Sequence, residues 1–307
     1  DIRVSLHGRR VGLSDDDELV AKGGFIAGGN GKPAIVLPSP DTVAVFDDFL
    51  NTESTDTGTA RGQQGGVHFV PIVTDTGDPI KLGRGVNGVI RLGPVAQGTQ
   101  TPAGTNTSLV GRFAAWRGDQ GNLGRLRFGV RLKCLGNGTS WNAGSIFAGF
   151  ADTGVLGAGT FPIYDTGASD TGGIAAVNDA VGFLFGENAA SGAVRGVSAR
   201  GGATGRQTVT LDTTVPTANV WQTWELELHR DAGDTGGVVD FYINGVGKGR
   251  LVSPITTDRP LTPYVGIMAS DTGAPALDVD WINVAGSRDT GDTGSSGSLV
   301  FGSVDAD

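Results

Sequence analysis

The sequence predicts an all-β protein of two stacked antiparallel sheets, and three observations lead there. Glycine and proline supply 53 and 13 of the 307 residues, and each interior glycine weakens a helix by about 1 kcal/mol relative to alanine. The acids are almost all aspartate, 27 against 5 glutamates, which suits turns rather than helix interiors. Several segments alternate apolar and polar residues with a period of two, the pattern of a strand with one wet face. Hydrophobic residues make up 38% of the chain, enough for a core and too many for general disorder. No apolar run approaches the roughly 18 residues of a membrane helix, so no membrane partner is expected. The opening residues 1–7 lack the basic-then-apolar order of a secretory signal, and no leader is expected. A net charge of −9 argues against nucleic acid, whose phosphates need a basic surface.

Residues 1–40 read as an N-terminal arm or small β appendage. Ile2, Val4 and Leu6 alternate with Arg3 and Ser5, and Val11-Gly-Leu13 follows the turn-like Gly8. Charges balance: Arg3, Arg9, Arg10, Lys22 and Lys32 stand against Asp1, Asp15, Asp16, Asp17 and Glu18. So short a piece cannot bury a core by itself. An unpaired strand offers a row of free N–H and C=O groups, so the arm is expected to add to another chain, with Ile2, Arg3, Val4, Leu6, Arg9 and Arg10 as the partner-binding residues. Pro38-Ser39-Pro40 makes a stiff extended connector.

Residues 41–285 carry the sandwich. Strands are expected at 43–50, 67–72, 89–92, 109–116, 126–135, 145–151, 181–185, 193–199, 207–211, 221–229, 238–244, 249–252, 263–269 and 277–284. The alternation is cleanest where Leu126, Phe128, Val130, Leu132 and Cys134 oppose Arg127, Gly129, Arg131 and Lys133. Trp224, Leu226 and Leu228 likewise oppose Glu225, Glu227 and His229, and Val239, Phe241 and Ile243 oppose Asp240, Tyr242 and Asn244. Asn244-Gly245 is the strongest hairpin signal. No amphipathic helix longer than about two turns stands out. Residues 286–307, rich in Gly, Ser and Asp, read as a mobile acidic tail with one apolar patch, Leu299-Val300-Phe301.

Chemical motifs are sparse. Asp-Thr-Gly occurs nine times, from residues 56, 75, 152, 165, 170, 234, 271, 289 and 292. Residues 161–169 resemble the hydrophobic-Asp-Thr-Gly-[Ala/Ser]-[Ser/Thr] pattern of aspartic proteases, whose chemistry needs two carboxylates sharing a proton. The triplet's abundance and its tandem copy at 289–294 speak instead for turns, with Asp capping nearby N–H groups. Asp231/Asp234 and Asp289/Asp292 raise structural calcium as the one cofactor alternative. Both lack the loop register of a six-to-eight-oxygen site, so no cofactor is expected. His7, His68 and His229 have no ligand spacing, and Cys134 on an apolar strand face reads as a buried, inert thiol. Arg125, Arg127, Arg131 and Lys133 line one strand face. They are either paired with acids on the next strand or an intermolecular contact.

The segments 221–229, 239–245, 260–266 and 277–284 resemble the closing strands of concanavalin-like (laminin-G-like) jelly rolls, and Phe46-Asp-Asp-Phe49 resembles the family's opening strand. The resemblance implies a jelly-roll sandwich over 43–285 and specifies function poorly. Its glycosidase branch would need a Glu-x-Asp-x-x-Glu strand, and Glu225-Leu-Glu227 lacks the third member. No catalytic residue and no enzyme activity is therefore expected. The layout also resembles bacteriophage head-decoration (cement) proteins and tail-fibre modules. That resemblance implies a structural virion protein on the capsid surface, bound to the major capsid or another virion protein as a homo-oligomer, with a trimer as the guess. The alternative is a carbohydrate-binding module of a tail fibre or adhesin, with Trp116 and Trp141 as the residues to stack on a glycan.

Overall fold

The computed structural model describes residues 4–6, 9–11, 42–47, 49, 69–73, 81–82, 88–93, 106–111, 116–117, 125–135, 144–152, 161–164, 173–174, 179–186, 193–202, 205–213, 218–229, 237–255, 260–269 and 276–287. Among them there is no α-helix, as expected of a chain this rich in glycine.

Two eight-stranded antiparallel sheets face each other. The first holds β4 (Phe69–Val73), β7 (Asn106–Gly111), β8 (Trp116–Arg117), β10 (Gly144–Asp152), β13 (Asp179–Gly186), β14 (Val194–Arg200), β15 (Gln207–Asp212) and β19 (Pro260–Ala269). Their order is β15-β14-β13-β10-β19-β7-β4, with β8 also on β19. The second holds β3 (Thr42–Asp47), β5 (Lys81–Leu82), β6 (Ile90–Leu92), β9 (Arg125–Leu135), β16 (Trp221–His229), β17 (Val238–Ile243), β18 (Val246–Val252) and β20 (Ala276–Ser287). Its order is β18-β17-β16-β9-β20-β6-β5, with β3 beside β20. Two small hairpins complete the described chain, β1 (Val4–Leu6) with β2 (Arg9–Val11) and β11 (Ile163–Tyr164) with β12 (Gly173–Ile174).

The core between the sheets is built by the residues whose alternation marked the strands. Leu126, Phe128, Val130 and Leu132 of β9 meet Phe150, Phe183 and Val265 of the first sheet, with Trp224, Phe241 and Ile282 beside them. Phe183 packs on Trp224 at 5.3 Å and edge-on against Phe241 at 5.2 Å between ring centroids. Gly196 on β14 makes room for this cluster, since a Cβ there would lie 2.6 Å from the Phe241 ring.

The expectation of one wet face per sheet holds only for the second sheet. On the first sheet the outward side chains Val110, Phe147, Ala151, Ala180, Leu184, Val197, Ala199, Tyr264 and Met268 form a second apolar layer, joined by Phe161 and Ile163 at the β11 hairpin. Phe161 meets the Tyr264 ring edge-on at 5.8 Å. Burial on both faces follows from strands such as β13, Asp-Ala-Val-Gly-Phe-Leu-Phe-Gly, which are apolar at odd and even positions alike.

Asn244-Gly245 turns β17 into β18 as expected, with both residues at positive φ (52° and 76°). The segment expected as one strand at 109–116 is two: β7 ends at Gly111 and β8 begins at Trp116, both pairing with β19. The arm also differs from expectation. Val4–Leu6 is not a lone strand but pairs with Arg9–Val11 in the register Val4↔Val11, Ser5↔Arg10, Leu6↔Arg9.

Candidate functional site

Most of the ion pairs between described residues lie on the outer face of the second sheet. The β9 stripe lies at its centre, between acids on both neighbouring strands. Arg127 reaches Glu227 of β16 at 3.0 Å, Arg131 reaches Asp280 of β20 at 2.6 Å, and Lys133 reaches Asp278 of β20 at 3.1 Å. Asp280 can do this because a bulge between Val279 and Trp281 takes it out of the regular register. Asp278 is nearly fully buried and also accepts two hydrogen bonds from Arg91 of β6, 2.7 Å from Nε and 3.1 Å from Nη2. The hydrogen bond to Asp278 raises the Arg91 guanidinium above its ordinary range. Arg125 stands opposite His229 in the β9–β16 register; its side chain lies outside the described residues. Of the two readings open for this stripe, pairing with adjacent acids describes Arg127, Arg131 and Lys133.

A second group lies at the other edge. Arg250 of β18 grips Asp240 of β17 with two hydrogen bonds, 2.7 and 2.8 Å, and His229 Nε2 lies 2.8 Å from the same carboxylate. The Arg250 hydrogen bond, aided by His229, holds Asp240 below the ordinary aspartate range against the opposing effect of burial. Two rows along on the same face, burial raises the Glu225 carboxyl above the usual glutamate range, with Arg127 opposing.

The tryptophans sort differently from expectation. Trp116, a candidate glycan platform, is 6% exposed and belongs to the core between the sheets, so it cannot stack on a sugar from solvent. Trp141 lies outside the described residues. Trp224 and Trp281 are buried as well. Trp221, the first residue of the 221–229 segment, is the half-buried one. It pairs with Lys133 across β16 and β9, with the Lys133 ammonium 4.7 Å and the Arg131 guanidinium 5.0 Å from the ring centroid. The signal available in sequence was its position, the first residue of a strand and three before the inward-facing Trp224, which places it on the opposite face.

Of the partner-binding arm residues, Val4, Leu6, Arg9 and Arg10 lie in the hairpin, while Ile2 and Arg3 fall outside the described residues. Of the nine Asp-Thr-Gly triplets only Asp152 is described; it ends β10, and its Oδ2 accepts the backbone N–H of Asp179 at the start of β13 at 3.3 Å, a bond between strands rather than a cap within its own turn. Asp165 and the calcium alternatives Asp231, Asp234, Asp289 and Asp292 lie outside the described residues. Cys134 is buried, and burial pushes its thiol up to about 12. Among the described residues no group of three or more His, Cys, Asp or Glu is placed to hold a metal ion.

No family model and no curated protein matches the chain. Solved structures do resemble it. A native glycosidic hydrolase is 11% identical with a TM-score of 0.46, over 78% of this chain and 94% of its own. An endo-1,3-β-glucanase from Streptomyces sioyaensis is 14% identical with a TM-score of 0.45, over 82% and 99%. Peanut lectin is 13% identical with a TM-score of 0.46, over 80% and 97%. The expectation that the chain is no enzyme is corrected here: glucanases and an endo-β-1,4-glucuronan lyase from Trichoderma reesei stand among the similar structures. The strand orders and registers make the fold a two-sheet antiparallel jelly-roll sandwich.

Proposed function

We propose that the chain is a structural virion protein that decorates the outside of a bacteriophage shell, tethered through its N-terminal hairpin to a neighbouring subunit or the capsid protein. One observation carries the reading. Among the described residues the hairpin Val4–Leu6/Arg9–Val11 is a sheet of its own, bonded to no strand of the sandwich. A lone two-stranded hairpin is marginal in water, so it needs another surface. The register sets Val4, Leu6, Arg9 and Val11 in the rows of one face and Ser5 and Arg10 in the row of the other. The test is to add the purified chain to shells assembled without it. Saturable binding that raises the temperature at which the shells open supports the reading. Shells that take up none of the protein and open at the same temperature defeat it.

A second reading, a glycan-binding module, has Trp221 in its favour. Its half-exposed ring stands in one row with Lys133, Asp278 and Arg91, fixed donors and acceptors on a flat face. Glycan binding abolished by Trp221→Ala, in protein that does not bind shells, would select it.

A further inference from the structure

The two flanks of the second sheet are built in opposite ways. At one flank β18 is guarded: a bulge between its pairings with Phe241 and Tyr242 breaks the regular edge, Lys248 at that bulge reaches Asp212 of the other sheet at 3.3 Å, and Arg250 adds a second charge. Bulges and cationic residues are the ordinary means of keeping another strand off an open edge. At the other flank β3, Thr-Val-Ala-Val-Phe-Asp, has none of these. It pairs with β20 without interruption from Asp47 to Thr42, carries no proline, lysine or bulge, and among the described residues no strand lies on its other side. Four of its six residues are of strand-favouring types.

We propose that β3 receives the N-terminal hairpin of a second copy of this chain, which adds to the second sheet by main-chain hydrogen bonds. This rests on the structural reading above and names the hairpin's first partner. Charge supports the choice of occupant. Asp41 and Asp48 bracket β3 in sequence, whereas the hairpin segment brings Arg3, Arg9 and Arg10 against Asp1. Reach supports it too: thirty residues separate the hairpin from β3, enough to span up to ~100 Å when extended, so the arm can cross to a neighbour. Exchanged between two chains it gives a two-fold reciprocal dimer, and passed from chain to chain head-to-tail it gives a ring where the rotation closes.

The test uses the full chain in solution. Sedimentation at tens of micromolar should give a mass above that of one chain. Arg9→Glu with Arg10→Glu should weaken self-association at least tenfold at low salt and leave the thermal transition of the sandwich unchanged. Mixing that variant with Asp41→Arg/Asp48→Arg chains should restore association between unlike chains. A full chain that sediments as a monomer, or a double-Glu variant that associates as tightly as the parent, overturns the proposal. If the monomeric chain still binds shells through its hairpin, the structural reading stands and only the choice of β3 fails.

Discussion

Glu225 lies in one row with Tyr242 and Gly129 on the wet face of the second sheet, and its raised carboxyl has a consequence for stability. A carboxyl that binds its proton more tightly when folded favours the native state at low pH. That advantage is lost as pH rises from the ordinary glutamate value of about 4.3 through the raised one. At neutral pH the ionised, partly buried group is therefore a burden, and Glu225→Gln is expected to raise the melting temperature at pH 7. The gain should shrink towards pH 4, as thermal melts across that range would show. Asp240 behaves in the opposite sense: its lowered carboxyl supports the fold above the ordinary aspartate range and ceases to do so in acid. Cys134, buried with its thiol near 12, should resist alkylation at pH 8 in the native protein and react once urea unfolds it. Gly196 is a steric requirement, and Gly196→Ala should destabilise the sandwich by about 1–3 kcal/mol through the Phe241 ring.

At the level of elements, the β17–β18 hairpin depends on more than its turn type. Asn244 takes a positive φ, its N–H donates to the Thr223 carbonyl, and its Oδ1 accepts the Thr223 N–H, both at 2.8 Å, so the turn is tied to β16. Asn244→Gly keeps the backbone conformation and loses only the side-chain bond, about 1 kcal/mol. Asn244→Ala also forces a Cβ residue into the left-handed region and should destabilise more; denaturant midpoints of the pair separate the two effects. The strands readable from sequence were those of the second sheet, because Leu126–Cys134, Trp224–His229 and Val239–Asn244 alternate cleanly. Extending that pattern to β10 and β13 missed their two-sided burial, although the unbroken apolar run of β13 carries the signal. The Arg127–Lys133 stripe was legible as a row. Its neutralisation was one of two open readings, and the choice between them was not legible, because the register bringing Glu227 and Asp278 opposite it belongs to other strands and the Asp280 bulge has no sequence mark.

For the whole molecule, the second apolar layer over the first sheet makes the fold thicker than two sheets. Phe161 touches the sheet from outside through the Tyr264 ring, and Phe161→Ala should cost about 3–5 kcal/mol. Partial exposure of Phe147 and Leu184 would follow, detectable as dye binding before global unfolding. The outer face of the second sheet has a different global property. Its described cations, Arg91, Arg127, Arg131, Lys133 and Arg250, number five, and its described anions, Glu225, Glu227, Asp240, Asp278 and Asp280, also number five. Among the described side chains the tile thus carries no net charge, on a chain of −9, and these side chains account for none of the excess acid. Two molecules approaching tile to tile meet a short-ranged mosaic that fades within a few ångströms. Approach from other directions meets the long-range repulsion of the whole. The molecule therefore carries its own orientational bias in dilute salt, one that dissolves as ionic strength rises.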